Sequence, residues 1–294
     1  MRSRTIFLLL VLCFIPSLAS GSHFGDFHVI PGAGRGPGLS GSMWQTDVII
    51  HNFQTTPLTV EIGLVESGLG QPDNLFPVMV DGADTVTIPA GATRVLADLL
   101  SNHRGHATAL GALLLGGDQP FAVTSRVYNV EASGATIGQT IPVTQEFLGA
   151  GTQVAIIPGL IANANFRSNI GFVAAAGAGA PLVVEVGLRD ATGASLGTTT
   201  FTIAPGTISH VQLNSTAIAT TPFDLATATI RVLSGSGDVT GYASVIDNRS
   251  NHAAFVGSGF SAATTNPARS TLATFLKALG DRRGRPDHHV PRDR

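Results

Sequence analysis

The chain has 294 residues, 44% of them hydrophobic and only 12% charged, with 35 Gly and 16 Pro; so apolar a chain is not disordered, and one so poor in charge is neither a coiled coil nor a nucleic-acid binder. Its single cysteine, Cys13, lies in an N-terminal segment expected to be removed, which excludes disulfides, zinc–thiolate sites and cysteine nucleophiles from the mature protein. Charge is unevenly placed: residues 20–266 carry 8 Arg against 16 Asp plus Glu, whereas residues 267–294 carry 7 basic side chains against 3 acidic.

Residues 1–19 read as a secretory signal peptide. Arg2 and Arg4 precede an apolar run from Ile6 to Ile15, and Ser17-Leu18-Ala19 supplies a small-x-small cleavage signal. Pro16 ends the run at half the length a membrane span needs, so no anchor is expected after cleavage. The mature chain is thus expected outside the cytoplasm, in the periplasm, at the cell surface or extracellular.

Two homologous units follow, at 24–148 and 150–262. Pro57-Leu58-Thr59-Val60-Glu61-Ile62-Gly63-Leu64 returns as Pro181-Leu182-Val183-Val184-Glu185-Val186-Gly187-Leu188, and Ile30-Pro31-Gly32 as Ile157-Pro158-Gly159. Trp44 to Val48 matches Phe166 to Ile170, and Ser125 to Asn129 matches Ala243 to Asp247, in unbroken order. The changing offset places five extra residues of the first unit in its Gly-rich stretch at 32–41 and nine between Val65 and Val86; the second unit gains three between positions matching Leu99 and Ala112.

Short β-like segments are expected at 47–53, 58–65, 86–88, 110–115 and 121–130, then at 170–174, 182–189, 197–203, 208–213, 228–233 and 239–247. Turn dipeptides such as Gly116-Gly117, Thr192-Gly193 and Ser234-Gly235 separate them. In the 58–65 segment Val60, Ile62 and Leu64 share one face, the period of a half-buried strand. The expected fold is all-β: two tandem immunoglobulin-like β-sandwich units of about seven strands, each closing its own core. At 266–280, Asn266-Pro267 caps an amphipathic pattern of Leu272, Phe275, Leu276 and Leu279, a short helix ended by Gly280; the basic tail 281–294 reads as disordered.

Several strings occur together: Ile30-Pro31-Gly32, Gly41-Ser42-Met43-Trp44-Gln45-Thr46-Asp47-Val48, Ser125-Arg126-Val127-Tyr128-Asn129 and Ile137-Gly138-Gln139-Thr140-Ile141-Pro142. This set resembles a family of secreted bacterial proteins built from tandem β-sandwich-like repeats, which open on an Ile-Pro element and close on Gly-Gln-x-Ile-Pro. The likeness covers most of the first unit and a diverged second, where Phe166 and Asn169 replace Trp44 and Asp47. It implies export and fold, and supplies no catalytic residue.

Candidate chemistry is sparse. Gly36-Pro37-Gly38-Leu39-Ser40-Gly41 fits a dinucleotide-binding string, but a strand-like run follows where a helix is required, so a flexible loop is expected. Gly193-Ala194-Ser195-Leu196-Gly197 fits a nucleophile elbow with His210 and Asp224 downstream, yet sits between two strands as a hairpin turn. His103 and His106 with Asp98 are the weak metal candidates; no metal or cofactor is expected. Glu61 and Glu185 read as outward strand residues. Trp44, the sole tryptophan, is either a core-edge aromatic or a saccharide-stacking platform. The expected function is non-enzymatic: a structural, adhesive or binding protein meeting a protein or glycan at the cell surface, with no nucleic acid. The alternatives are a metal-dependent or serine hydrolase and a glycan-binding accessory module.

Overall fold

A computed structural model describes residues 24–38, 41–68, 75–101, 108–144, 147–151 and 153–260. The signal segment 1–19, His103, His106, the 266–280 helix and the 281–294 tail lie outside the described residues. Within them the fold is all-β and sandwich-like.

The first unit contains β1 (Phe24–Pro37), β2 (Met43–His51), β3 (Leu58–Glu66), β4 (Leu75–Pro77), β5 (Thr85–Ile88), β6 (Thr93–Leu96), β7 (Ala109–Val130) and β8 (Thr136–Ile141). β3 follows its sequence period: Leu58, Val60, Ile62 and Leu64 are buried while Thr59 and Glu61 are half-exposed. One layer runs β4-β3-β7-β1, with β5 also on β3. The other is built on β2, flanked by β6 and by the far half of β7, which carries β8. Ile62, Leu64, Leu113 and Leu115 from the first layer meet Val48, Ile50, Val123 and Ile141 from the second in one core.

β7 belongs to both layers. Residues 111–117 pair with β3, and 122–130 pair with β2. The Gly116-Gly117 turn expected from sequence is therefore not a turn: the strand bends there and continues into the opposite layer. The Gly-rich stretch expected to be a loop is likewise strand as far as Pro37, paired with β7 through Ala33, Gly34 and Arg35.

The second unit contains β9 (Ala155–Ala162), β10 (Phe166–Ala176), β11 (Leu182–Asp190), β12 (Ser195–Ile203), β13 (Ile208–Asn214), β14 (Phe223–Ser234), β15 (Gly237–Asp247), β16 (Ala253–Gly257) and β17 (Gly259–Phe260). Its sheets run β13-β10-β15-β16 and β12-β11-β14-β9-β17. Leu182, Val184, Val186 and Ile230 of the larger sheet pack on Ile170, Phe172 and Ala243 of the smaller.

Pairing registers repeat between the units. Leu58 faces Ile88 as Leu182 faces Ile203. Ile30 faces Leu113 as Ile157 faces Ala228, and Ile50 faces Val123 as Phe172 faces Gly241. Leu113 thus corresponds to Ala228, an offset of 115, and Val123 to Gly241, an offset of 118. The second unit's three extra residues therefore fall where β7's counterpart breaks into β14 and β15, and not between the positions matching Leu99 and Ala112. Gly235 in that break has φ 89°, and a Cβ there would lie 2.2 Å from the Pro181 carbonyl oxygen, so the turn admits glycine alone.

A third apolar cluster joins the units. Phe27, Val29, Val65, Ala112 and Leu114, on the outer side of the β3-β7-β1 layer, pack against Val173, Ala175 and Ile208 of β10 and β13. Covered on both faces, β10 is buried without interruption from Ile170 to Ala176, and its small Ala174, Ala175 and Ala176 fit between two packed layers.

Candidate functional site

Docking of the two units leaves a cleft of about 250 Å³ along their junction. The first unit contributes the 32–37 stretch of β1, Trp44 at the start of β2 and Gln139 of β8. Arg167 and Asn169 of β10, Gln212 of β13 and Tyr242 of β15 complete the opposite side.

Tyr242 anchors this arrangement. Its ring passes between two glycines: a Cβ on Gly32 would lie 3.2 Å from it and one on Gly171 2.3 Å. The hydroxyl donates to Gln212 Oε1 at 2.8 Å, and the same oxygen lies 2.8 Å from His210 Nε2, whose ring stacks beside it. Because Gln212 Oε1 can only accept, the tyrosine donates there and His210 donates from Nε2. That tautomer leaves Nδ1 to accept from Ser67 Oγ, 2.6 Å away across the junction. The Gly68 amide adds a backbone bond to the His210 carbonyl at 3.0 Å. Complete burial pushes the His210 pKa down to about 3, opposed only by a backbone contact to Pro31, so the imidazole is neutral. The same burial raises the Tyr242 pKa.

Ser67 and His210 form a serine–histidine contact the sequence did not announce, since the two stand 143 positions apart. The arrangement does not equip a hydrolase. A base with a pKa near 3 takes little of a serine proton at neutral pH, and His210's second nitrogen faces a phenol, not an orienting carboxylate. Ser195 lies instead at a hairpin where Asp190 Oδ1 accepts from the Thr192 and Ala194 amides. Asp224 accepts from Asn163 at 2.7 Å. No hydrogen bond joins Ser195, His210 and Asp224.

Asp98 is committed elsewhere. Its carboxylate pairs with Arg35 at 3.1 Å, its φ is 42°, and its amide donates to Asp47 Oδ1 at 2.8 Å. Among the described residues no group of three His, Cys, Asp or Glu could hold a metal ion. Asp47 also accepts from Tyr128 at 3.0 Å; burial first, then this acceptor, raises the tyrosine pKa. Glu185 lies on the outer face of β11 against Arg231 at 2.7 Å. Gly36 and Pro37 of the 36–41 string end strand β1 and strand β2 begins at Met43, where a dinucleotide site would need a helix.

Trp44 is half-buried and lines the junction cleft, whereas Glu185 and Ser195 line a separate concavity on β11, β12 and β14 whose one carboxylate is already paired with Arg231. Arg167, Gln212 and Tyr242 went unnamed as candidates because nothing local marks them, and Gln139 entered only within the Gly-Gln-x-Ile-Pro-like string; Arg167 and Asn169 were marked only by occupying the positions of Gln45 and Asp47 in the repeated string. Arg167 donates to Asn248 Oδ1 at 3.0 Å and Asn251 Oδ1 at 2.8 Å, and burial lowers its pKa. The arrangement offers an aromatic side chain, side-chain amides and a guanidinium around one cleft: equipment for binding. Comparison of the chain with protein-family models, with curated proteins and with solved structures finds no match.

Proposed function

We propose that this protein is a non-enzymatic binding protein of the extracytoplasmic space that holds a saccharide in the cleft between its two sandwiches. One observation carries the reading: Trp44 lines the same concavity as the amides of Gln139, Asn169 and Gln212. A sugar presents an apolar C–H face and a rim of hydroxyls, so an aromatic surface beside planar amides suits it. The neutral, tyrosine-bonded state of His210 supports binding over hydrolysis. Export is supported by the N-terminal pattern at 1–19 and by the resemblance to secreted bacterial repeat proteins.

The test is a glycan array probed with the purified mature chain, beside Trp44→Ala and Trp44→Phe. Phe166 holds the corresponding place in the second unit, so Trp44→Phe preserves the fold while shrinking the aromatic face. The reading expects defined glycans to be retained by the native chain, weakened by Trp44→Phe and lost about tenfold or more with Trp44→Ala, in line with the worth of a stacked aromatic. No glycan bound, or equal binding by a folded Trp44→Ala, overturns it.

A further inference from the structure

We infer that the saccharide held in the junction cleft is acidic, and that Arg167 pairs with its carboxylate; the class is a uronic-acid-containing glycan. The inference rests on the saccharide reading above and adds the sign of the ligand's charge.

The first ground is how the arginines are neutralised. Arg35, which shares the cleft, is spent on Asp98 at 3.1 Å, Arg231 on Glu185 at 2.7 Å, and Arg94 on Asp81. Arg126, Arg189 and Arg249 also meet neutral oxygens, but at exposed positions. Arg167 is different: half-buried in the cleft wall, it is met by two neutral amide oxygens, Asn248 Oδ1 and Asn251 Oδ1. These hold the guanidinium in place without cancelling its charge. Two of its five N–H donors are used, so three remain for a ligand. Burial is what depresses its pKa, with no carboxylate offsetting the cost. A cation fixed in a partly desolvated wall by neutral partners gains most from an incoming anion, and a planar carboxylate matches its fork.

The second ground is the donor count. Gln212 accepts from Tyr242 through Oε1, which leaves its NH₂ group unengaged. The Trp44 indole N–H and the Asn169 amide make no hydrogen bond among the described residues. Donors therefore outnumber acceptors around the cleft, the complement of an acceptor-rich ligand. Residues 20–266, with 16 acidic side chains against 8 arginines, repel a polyanion at long range. The match is thus to one acidic residue seated in the cleft, not to a charged polymer spread over the surface.

The experiment is calorimetric titration of the mature chain with uronic-acid oligosaccharides, with the same oligosaccharides after reduction of their carboxyls to neutral alcohols, with sulfated neutral analogues, and with an acidic peptide. Native protein is expected to prefer the carboxylate form over its reduced counterpart by about tenfold or more, the worth of a charge-assisted pair. Arg167→Gln should bind both forms as native protein binds the reduced one, and Arg167→Lys should restore part of the preference. Thermal unfolding of both variants verifies that the Asn248–Asn251 loop stays docked. Equal affinity for carboxylate and reduced forms, tighter binding of the sulfated analogue, or a preference that survives Arg167→Gln overturns the uronic-acid assignment and leaves the saccharide reading standing. Binding of the peptide alone, or of nothing, overturns both.

Discussion

Thr46 and Ser168 occupy corresponding places in the two units, and their hydroxyls make the same pair of bonds. Thr46 Oγ1 accepts from the Gly34 amide at 2.9 Å and donates to the Gly34 carbonyl at 2.8 Å; Ser168 Oγ does both to Ile161, at 2.9 and 2.7 Å. Each bracket satisfies backbone groups that the neighbouring ladder leaves open. Thr46→Val keeps the shape and removes both bonds, so a loss of about 1–3 kcal/mol is expected in urea unfolding, with Thr46→Ser near native. His210 sets a second expectation at this scale. Its folded pKa lies near 3, below the ordinary histidine value of about 6.5, so the unfolded chain binds a proton that the native state refuses. Stability from this group is therefore full above pH 6.5 and lost as pH falls toward 3. Between pH 7 and 5 the native chain should lose about 2 kcal/mol more than His210→Gln, measured by denaturant unfolding at each pH.

Strands are where sequence pattern spoke most clearly, and where it failed for a definable reason. The 58–65 and 182–189 segments emerge as β3 and β11 within a residue, because alternation is clean over their first halves, Leu58 to Ile62 and Leu182 to Val186, where one face alone is buried. Glycine misled the reading at 32–37 and at 116–117, since its use in turns is a local signal and its use here is tertiary. Gly32 is needed where the Tyr242 ring passes, and Gly116-Gly117 lie where β7 bends from one layer into the other. The second unit solves the same crossing by breaking the strand, and Gly235 in that break gives a test that separates backbone conformation from space. Gly193 and Gly235 have nearly equal φ, 87° and 89°, but a Cβ on Gly193 meets nothing within 4 Å while one on Gly235 meets the Pro181 carbonyl at 2.2 Å. Gly193→Ala should cost about 1 kcal/mol for the left-handed conformation alone, and Gly235→Ala about 3 kcal/mol or more. Equal losses in paired unfolding curves would place the whole cost in the backbone.

The junction between the units was invisible from sequence because its residues are distant in the chain and neutral in kind. Leu114 and Val173 look like any core residues, and only the docked structure shows that they leave their own cores to meet each other's layer. The same docking makes the cleft: the 32–37 stretch and Trp44 come from one unit, Arg167, Gln212 and Tyr242 from the other. The cleft and the joint between units are therefore one property of the whole molecule. Apolar packing, the Ser67–His210–Tyr242 chain and the Gly68 bond to His210 all cross this joint, so native protein should unfold in a single calorimetric transition. Leu114→Asn puts an amide with no partner into the shared cluster, a loss of about 2–4 kcal/mol falling on the joint and not on either internal core. The expected result is two resolved transitions and loss of saccharide binding, with β-sheet content by circular dichroism unchanged at low temperature. A variant that melts in one step with binding intact would show that the two sandwiches are held by the 147–153 connection and their backbone bonds, and that the third apolar cluster contributes little.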